Sequence, residues 1–398
     1  MFDRHVLPRP LRGFLGDAYH CVAPIFANSK RSKWLPLDSR VFGPPRRWSH
    51  TGEYCHARDF DWREVVAAAA VARKPPRCVN YASAAMLKLV AAELPAAGIA
   101  RIRNARVVSP HGWVIAEDDT YLPDHSWHGY DVNACPIYNW YGLEATARLP
   151  GVTLNLVTDW SENYGHLLFD ALPRVYLFEQ AGYSWDDISH VLVPDMTSDG
   201  RRSAAELCGI PIDKMLPLSS FSVVECEELI VPTFPGVRCN SPRWVGEFWR
   251  SKSPPIPQQR RRIFLSRRGS RRTLTNESDL ITVLEAFGFE IVVPSNAAIR
   301  NILPQAEIIV GAHGAALADV LFCNRDSVLV ELTPPGHIEP YYYTAAESAG
   351  MSYFSILGTY PDDRHHDANL ANFSILAKTL SDTLKEAEAA LEEQRAEP

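Results

Sequence analysis

The rhythm of apolar and polar positions changes along this chain. Between residues 151 and 252, short apolar runs at Gly151–Val157, Val191–Val193 and Glu228–Val231 alternate with helical patterns at Asn163–Gln180, Ser203–Cys208 and Arg243–Arg250. The alternation returns after residue 260. Apolar runs at Ile263–Ser266, Phe289–Val293, Ile308–Val310, Val328–Glu331 and Tyr353–Ile356 are separated by helical patterns at 277–287, Ala297–Leu303, Ala315–Leu321 and Tyr341–Ala349. Strands alternating with helices predict parallel sheets with helices on their faces. Asn276 is placed to cap the helix ending at Phe287, with Asp279 at its third position and Gly288 as the stop. The proline-rich segment Ser253–Gln259, SPPIPQQ, fits neither helix nor central strand and reads as a boundary. Residues 1–252 and 260–360 then form two Rossmann-like units, and 365–398 a C-terminal helix, with no internal repeat.

Residues 1–150 are less regular. The pattern predicts helices at Trp62–Ala72 and Tyr81–Glu93 and strands at Ala105–Ser109 and Gly112–Ala116. Trp127–Tyr141 gathers Tyr130, Tyr138, Trp140 and Tyr141, rings able to fill a core or stack on a sugar. At 398 residues, 46% hydrophobic and 22% charged, the composition is that of globular protein and excludes wholesale disorder. A net charge of −7 argues against a nucleic-acid partner. The eight cysteines fit no zinc spacing and read as reduced thiols. The apolar run Val65–Ala72 is too short to span a bilayer, and the opening MFDRHVLPRPLRG lacks the apolar core of a signal peptide. A cytoplasmic protein is expected, with contact to the inner face of a membrane left open.

Ligands of open parallel sheets bind beyond the carboxyl ends of the strands. On the second unit those ends carry SRRGSRR after Leu265, the turn Gly311–Ala315, and Glu331. Arg260–Arg272 holds seven arginines and no acid, which is either a solvated loop or, through Arg267 and Arg268, a bidentate phosphate cradle. The glycine turn enters a helix whose first N–H groups favour an anion, although a purely structural turn would look the same. Glu331 could accept from ribose hydroxyls or simply end a strand. In the first unit, Asn163, His166, Asp170 and Arg174 fall within about 80° of one another on a helix. Pro173 should kink that helix and free a carbonyl. His166 and Asp170 read as a proton-accepting pair or as part of an ion-pair network. The motifs of P-loop ATPases, dinucleotide oxidoreductases, zinc proteases and serine hydrolases are absent from the sequence. The D-x-D at Asp59–Asp61 lies in the irregular region and is not read as a metal motif.

Four segments in order, NYGHLLFDALPR at 163–174, FLSRRGSRRTLTNE at 264–277, IIVGAHGAALADVLF at 308–322 and VLVELTPP at 328–335, resemble glycosyltransferase family 61. The resemblance implies an α/β fold of the GT-B type, two facing Rossmann-like domains with parallel sheets. It implies an inverting, metal-independent transferase acting on a nucleoside-diphosphate sugar, with UDP the expected nucleotide, no cofactor, and a saccharide acceptor. It suggests a bacterial surface-polysaccharide setting. By motif, Arg267 and Arg268 would meet the diphosphate and Asn276 would support their loop. His313, Gly314 and Ala315 would hold phosphate, and Glu331 the ribose. His166 and Asp170 would be catalytic, with Asn163 and Arg174 toward the acceptor. Asp319 stands where the family often has Asn. The alternatives are a non-catalytic carbohydrate-binding protein and an epimerase or phosphorylase on the same fold.

Overall fold

The computed structural model describes residues 38–41, 43–126, 131–140, 142–253, 260–269, 272–294, 298–360 and 371–396. Trp127, Tyr130, Tyr141, Arg271 and most of the expected boundary segment lie outside them.

Two large sheets carry the fold. The second is all parallel and six-stranded, in the order Glu290–Val292, Arg261–Leu265, Ala306–Ala312, Val328–Thr333, Ser352–Leu357, Arg77–Cys78. The chain moves outward from Arg261–Leu265 to Glu290–Val292, then returns to the other side at Ala306–Ala312. This doubly wound order places a topological switch point between Arg261–Leu265 and Ala306–Ala312, where a ligand crevice is expected. Successive residues of these strands feed opposite cores. Ile263, Leu265 and Ile309 enter one cluster, while Phe264, Ile308 and Val310 enter another with the C-terminal helix Ala377–Ala396. Burial on both faces explains the unbroken apolar runs.

The first sheet is mixed and nine-stranded. Val223–Pro232, Ala147–Asn155, His190–Val193 and Met215–Pro217 run parallel, as the alternation after residue 151 predicts. Ala97–Val108 pairs antiparallel with Val223–Pro232 and joins further strands from the first 122 residues to the same sheet. The sequence break at 150 is therefore not a break between sheets, and Arg77–Cys78 pairs into the other sheet altogether. One apolar cluster is continuous between the two sheets, from Leu154 and Val191 through Phe178, Trp249, Leu321 and Tyr343 to Ile263 and Ile309.

Two expected helices are corrected. Trp62–Ala72 is instead the strands Asp61–Val66 and Ala69–Ala72, and Tyr81–Glu93 is a short helix, Ala84–Leu87, followed by the strand Ala91–Leu94. The alanine run favours helix locally. Here Asp61–Val66 lies along Ala97–Val108, and Ala69–Ala72 along Ala91–Leu94, so pairing outweighs propensity. Among the described residues no helix is long and apolar enough to cross a membrane.

Candidate functional site

The switch point holds a compact arginine–glycine unit. Arg267, just past the strand Arg261–Leu265, donates from Nη1 to the His313 carbonyl at 2.8 Å and from Nε to the Arg272 carbonyl at 2.7 Å. Arg272 Nη2 donates to the same His313 carbonyl at 2.7 Å. Two guanidinium groups thus converge on one peptide oxygen at the carboxyl edge of the sheet. A Cβ on Gly314 would lie 1.6 Å from Arg267 Nη1, so only glycine lets the guanidinium rest there. Burial lowers the affinity of both arginines for their protons, and the neighbouring Arg267 adds to that effect on Arg272. Such partly desolvated cations gain strongly from an anion.

Glu277 shapes the preceding turn: it accepts from Ser266 Oγ at 2.7 Å and pairs with Arg268 at 2.9 Å, although the Arg268 side chain is 59% exposed. Asn276 does not cap its helix with its side chain. Its amide donates to the Ile375 carbonyl at 2.8 Å and its oxygen accepts from Ile375 N at 3.2 Å, tying the loop to the segment before the C-terminal helix.

Glu331 differs from expectation. It is completely buried, accepting from Tyr353 Oη at 2.6 Å and facing His313 Nδ1 at 2.5 Å. It fixes the His313 ring and has no surface to offer a ribose. His313 also packs edge-on against His337 and Tyr342. Burial, then the neighbouring His313 and Arg272, push His337 down to about 4. Tyr342 Oη donates to the Gly314 carbonyl at 2.6 Å, and Ala315–Phe322 winds as a 3-10 helix from Gly314.

In the first unit the predicted kink is real and has a particular form. Leu167–Ala171 is a π-helical turn, with Leu172 N bonded to the Leu167 carbonyl, and Arg174–Gln180 resumes as α-helix. Pro173 brings no N–H to the Leu168 carbonyl, which accepts instead from Trp249 Nε1 at 2.8 Å. The widened turn leaves His166 Nδ1 at 2.7 Å from Asp170 Oδ2, the His166 side chain 19% exposed. Such π turns recur at functional sites. Asn163 is exposed and caps the turn through Gly165 N. Arg174 is the correction: it is fully buried and donates to the carbonyls of His125 and Pro232, so it cannot face an acceptor. Burial lowers its pKa to about 9, opposed by the charge of Asp170.

The helix Tyr341–Ala349 joins the two constellations. Its first ring, Tyr341, meets His166 edge-on at 5.0 Å and stacks on Phe169; its second, Tyr342, meets His313 edge-on at 5.0 Å. Consecutive residues therefore touch both predicted halves of the site. A second link is buried. Tyr164 donates to Asp319 at 2.7 Å, and Arg300 reaches both Tyr164 Oη and Asp319. Burial raises the Asp319 pKa, against the pull of Arg300.

Part of the sequence matches known proteins. Residues 164–330 match the glycosyltransferase 61 family model. A relative, xylan glycosyltransferase MUCI21 of Arabidopsis thaliana, is 34% identical over 97 residues, 22% of this chain and 19% of the relative. The chain thus spans about a fifth of the length of the curated relative it matches. Both point to a glycosyltransferase.

The matched segment contains His166, Asp170, Arg267, Arg268, Asn276, His313, Gly314 and Ala315; the two tyrosines touch His166, His313 and Gly314, while Arg268 and Asn276 are held by Glu277 and Ile375. Sequence reasoning missed Tyr341, Tyr342, His337, Tyr164, Arg300 and Glu277. Tyr341–Tyr343 opened a predicted helix, and an aromatic triplet at a helix start was the available signal. Arg300 carried none, because two of its partners, Ser203 and Tyr164, lie 97 and 136 residues away in sequence.

Proposed function

We propose that this chain is an inverting glycosyltransferase that moves a sugar from a nucleoside diphosphate, UDP foremost, to a saccharide hydroxyl. The observation that carries the reading is the pairing of Arg267 and Arg272 on the His313 carbonyl at the switch point, across the Tyr341–Tyr342 link from His166–Asp170. The arrangement of two Rossmann-like units in the GT-B manner is part of the proposal. So is a cytoplasmic role in polysaccharide synthesis, for which the name of the xylan glycosyltransferase relative offers a parallel in reaction alone.

In this reading Arg267, Arg268 and Arg272 bind the diphosphate without a metal and stabilise the charge that develops on it. His313, Gly314 and Ala315 form the wall of that crevice. Asp170 accepts the Nδ1 proton of His166, which orients the ring and leaves the basic lone pair on Nε2. The acceptor oxygen attacks the anomeric carbon from the face opposite the diphosphate. Its proton passes to His166 Nε2 as the bond from the anomeric carbon to phosphate oxygen breaks, and that electron pair leaves with the nucleoside diphosphate. Asn163 sits exposed beside the pair, toward the acceptor.

The test is turnover of a labelled UDP-sugar panel by His166→Ala and Asp170→Ala. Each should fall by roughly 10²–10⁴ while UDP affinity holds, the usual worth of a general base. Folded variants with near-normal turnover would remove the pair from the chemistry. Product analysis by NMR reports the anomeric configuration, and a retained configuration would overturn the inverting mechanism.

A further inference from the structure

The burial of Arg174 leaves the acceptor side of the site without its expected cation, and a different side chain stands there. The turn between the strand Ala147–Asn155 and the His166 helix is tightly built. Thr158, Asp159 and Ser161 are each at most 3% exposed, Ser161 Oγ donates to the Thr158 carbonyl at 2.7 Å, and Asn163 N bonds to the Trp160 carbonyl at 2.7 Å. In the middle of this buried turn, Trp160 is 68% exposed. Its backbone is left-handed, with φ 64°, a conformation that strains a large aromatic residue. The fold thus holds an indole outward at a conformational cost, at the carboxyl edge of the parallel strands. Its ring centroid lies 6.5 Å from that of His166.

The neighbouring residue completes a second histidine–carboxylate pair. Asp159 Oδ1 lies 2.5 Å from His111 Nδ1, and Asp159 Oδ2 accepts from Trp113 Nε1 at 3.4 Å. His111 stacks on the buried Trp113 at 4.2 Å, with its side chain 33% exposed. A solvent-facing indole, with an imidazole oriented by the next residue in the chain, combines an apolar platform with a polar handle. That is the pairing that recognises a sugar ring, whose C–H face is apolar and whose rim carries hydroxyls.

We propose that Trp160 and His111 form the acceptor subsite: the indole stacks on one face of an acceptor pyranose, His111 bonds a rim hydroxyl, and the ring is delivered with a hydroxyl toward His166. This rests on the glycosyltransferase reading, but its test does not. The full chain is applied to an array of neutral and acidic oligosaccharides, with xylo- and cello-oligosaccharides included, and affinities for the glycans bound are measured by titration. Wild type should bind at least one glycan. Trp160→Ala and Trp160→Gly should weaken that binding about tenfold or more, as loss of a stacking contact does. Trp160→Gly should melt at or above the wild-type temperature, because glycine relieves the left-handed strain. A structural indole predicts the reverse, a lower melting temperature with unchanged glycan affinity. Trp48→Ala, at an exposed ring elsewhere, is the control and should change neither. Unchanged glycan affinity in both Trp160 variants, or no glycan bound by wild type, would overturn the subsite. Glycan binding through Trp160 in a chain that turns over no nucleotide sugar would sustain the subsite and sink the transferase reading. Transfer by wild type with acceptor KM unaltered in Trp160→Ala would do the opposite.

Discussion

Replacing Glu331 by Ala separates a ligand-binding carboxylate from a structural one. Glu331 is completely buried and serves two groups, His313 at 2.5 Å and Tyr353 at 2.6 Å. Truncation leaves both without their acceptor, and each unmet buried group costs about 1–3 kcal/mol. Breaking a buried, hydrogen-bonded charge typically costs about 3–5 kcal/mol in all. For a chain of 398 residues that corresponds to a melting temperature lower by roughly 4–6 °C. Glu331→Gln keeps one acceptor oxygen and turns a donor toward the other partner, so it should fall between wild type and Glu331→Ala. UDP affinity should fall as a consequence, because the His313 carbonyl that Arg267 and Arg272 share moves with its ring. Thermal melts and UDP titration on the same samples make the check. If Glu331→Ala melts within about 1 °C of wild type, less than about 1 kcal/mol, while UDP affinity drops tenfold, Glu331 touches the nucleotide and the reasoning is refuted.

Arg267→Ala should weaken UDP binding by about 1.5–3 kcal/mol, the scale of a charged hydrogen bond left unmade; calorimetry showing equal affinity would take Arg267 out of the site. Gly314→Ala should act in the same direction while keeping every charge, because the added methyl collides with the Arg267 guanidinium; wild-type UDP affinity in that variant would contradict the packing argument. UDP binding and sugar transfer should survive excess EDTA, since the proposed site meets the diphosphate with arginines; loss of transfer that Mn²⁺ or Mg²⁺ restores would show a metal at work. Burial pushes His125 down to about 4 from its ordinary 6.5. The unfolded chain therefore gains a proton below about pH 6.5 that the folded chain refuses until about pH 4, and stability falls as pH drops through that window. Urea midpoints of wild type and His125→Gln across pH 7 to 4.5 report this, and equal slopes would refute it.

The second sheet was legible because both of its faces are buried. Apolar runs such as Ile308–Val310 and Val328–Val330 need no register to be recognised. Glycines at 288 and 350, both left-handed, close the helices before them. Much of the stretch from Asp61 to Leu94 was not legible for the opposite reason, whereas the strands expected at Ala105–Ser109 and Gly112–Ala116 fall on Ala97–Val108 and Trp113–Ile115. Asp61–Val66 is largely exposed and takes its identity from partners 30 or more residues away. An alanine run read alone has no access to that partner. At the site, helical spacing identified His166 and Asp170 correctly as neighbours but erred on Arg174. Spacing fixes which way a side chain leaves the helix and says nothing of what lies opposite. Arg174 leaves on the same face and meets the His125 and Pro232 carbonyls within the interior.

The sequence blocks looked like signatures of two separate units, one for the acceptor and one for the donor. Contacts within the fold make them parts of one construction. Tyr164, at the head of the first block, bonds Asp319 in the third, and Gly165 comes so close to Ala318 that a Cβ there would stand 3.9 Å away. Arg300 closes the group from the helix Ala298–Ile302. A carboxylate at 319 answers the charge of the buried Arg300, where an amide could only hydrogen-bond; the departure to Asp is thus matched by a cation. This buried triad fixes the His166 turn against the 3-10 helix that begins at Gly314, while Tyr341 and Tyr342 fix the same two elements from the other side. Distance between a base and a leaving group decides whether a transfer proceeds. Here that distance is set by packing between motif residues themselves, which is why residues so far apart in sequence must be read together.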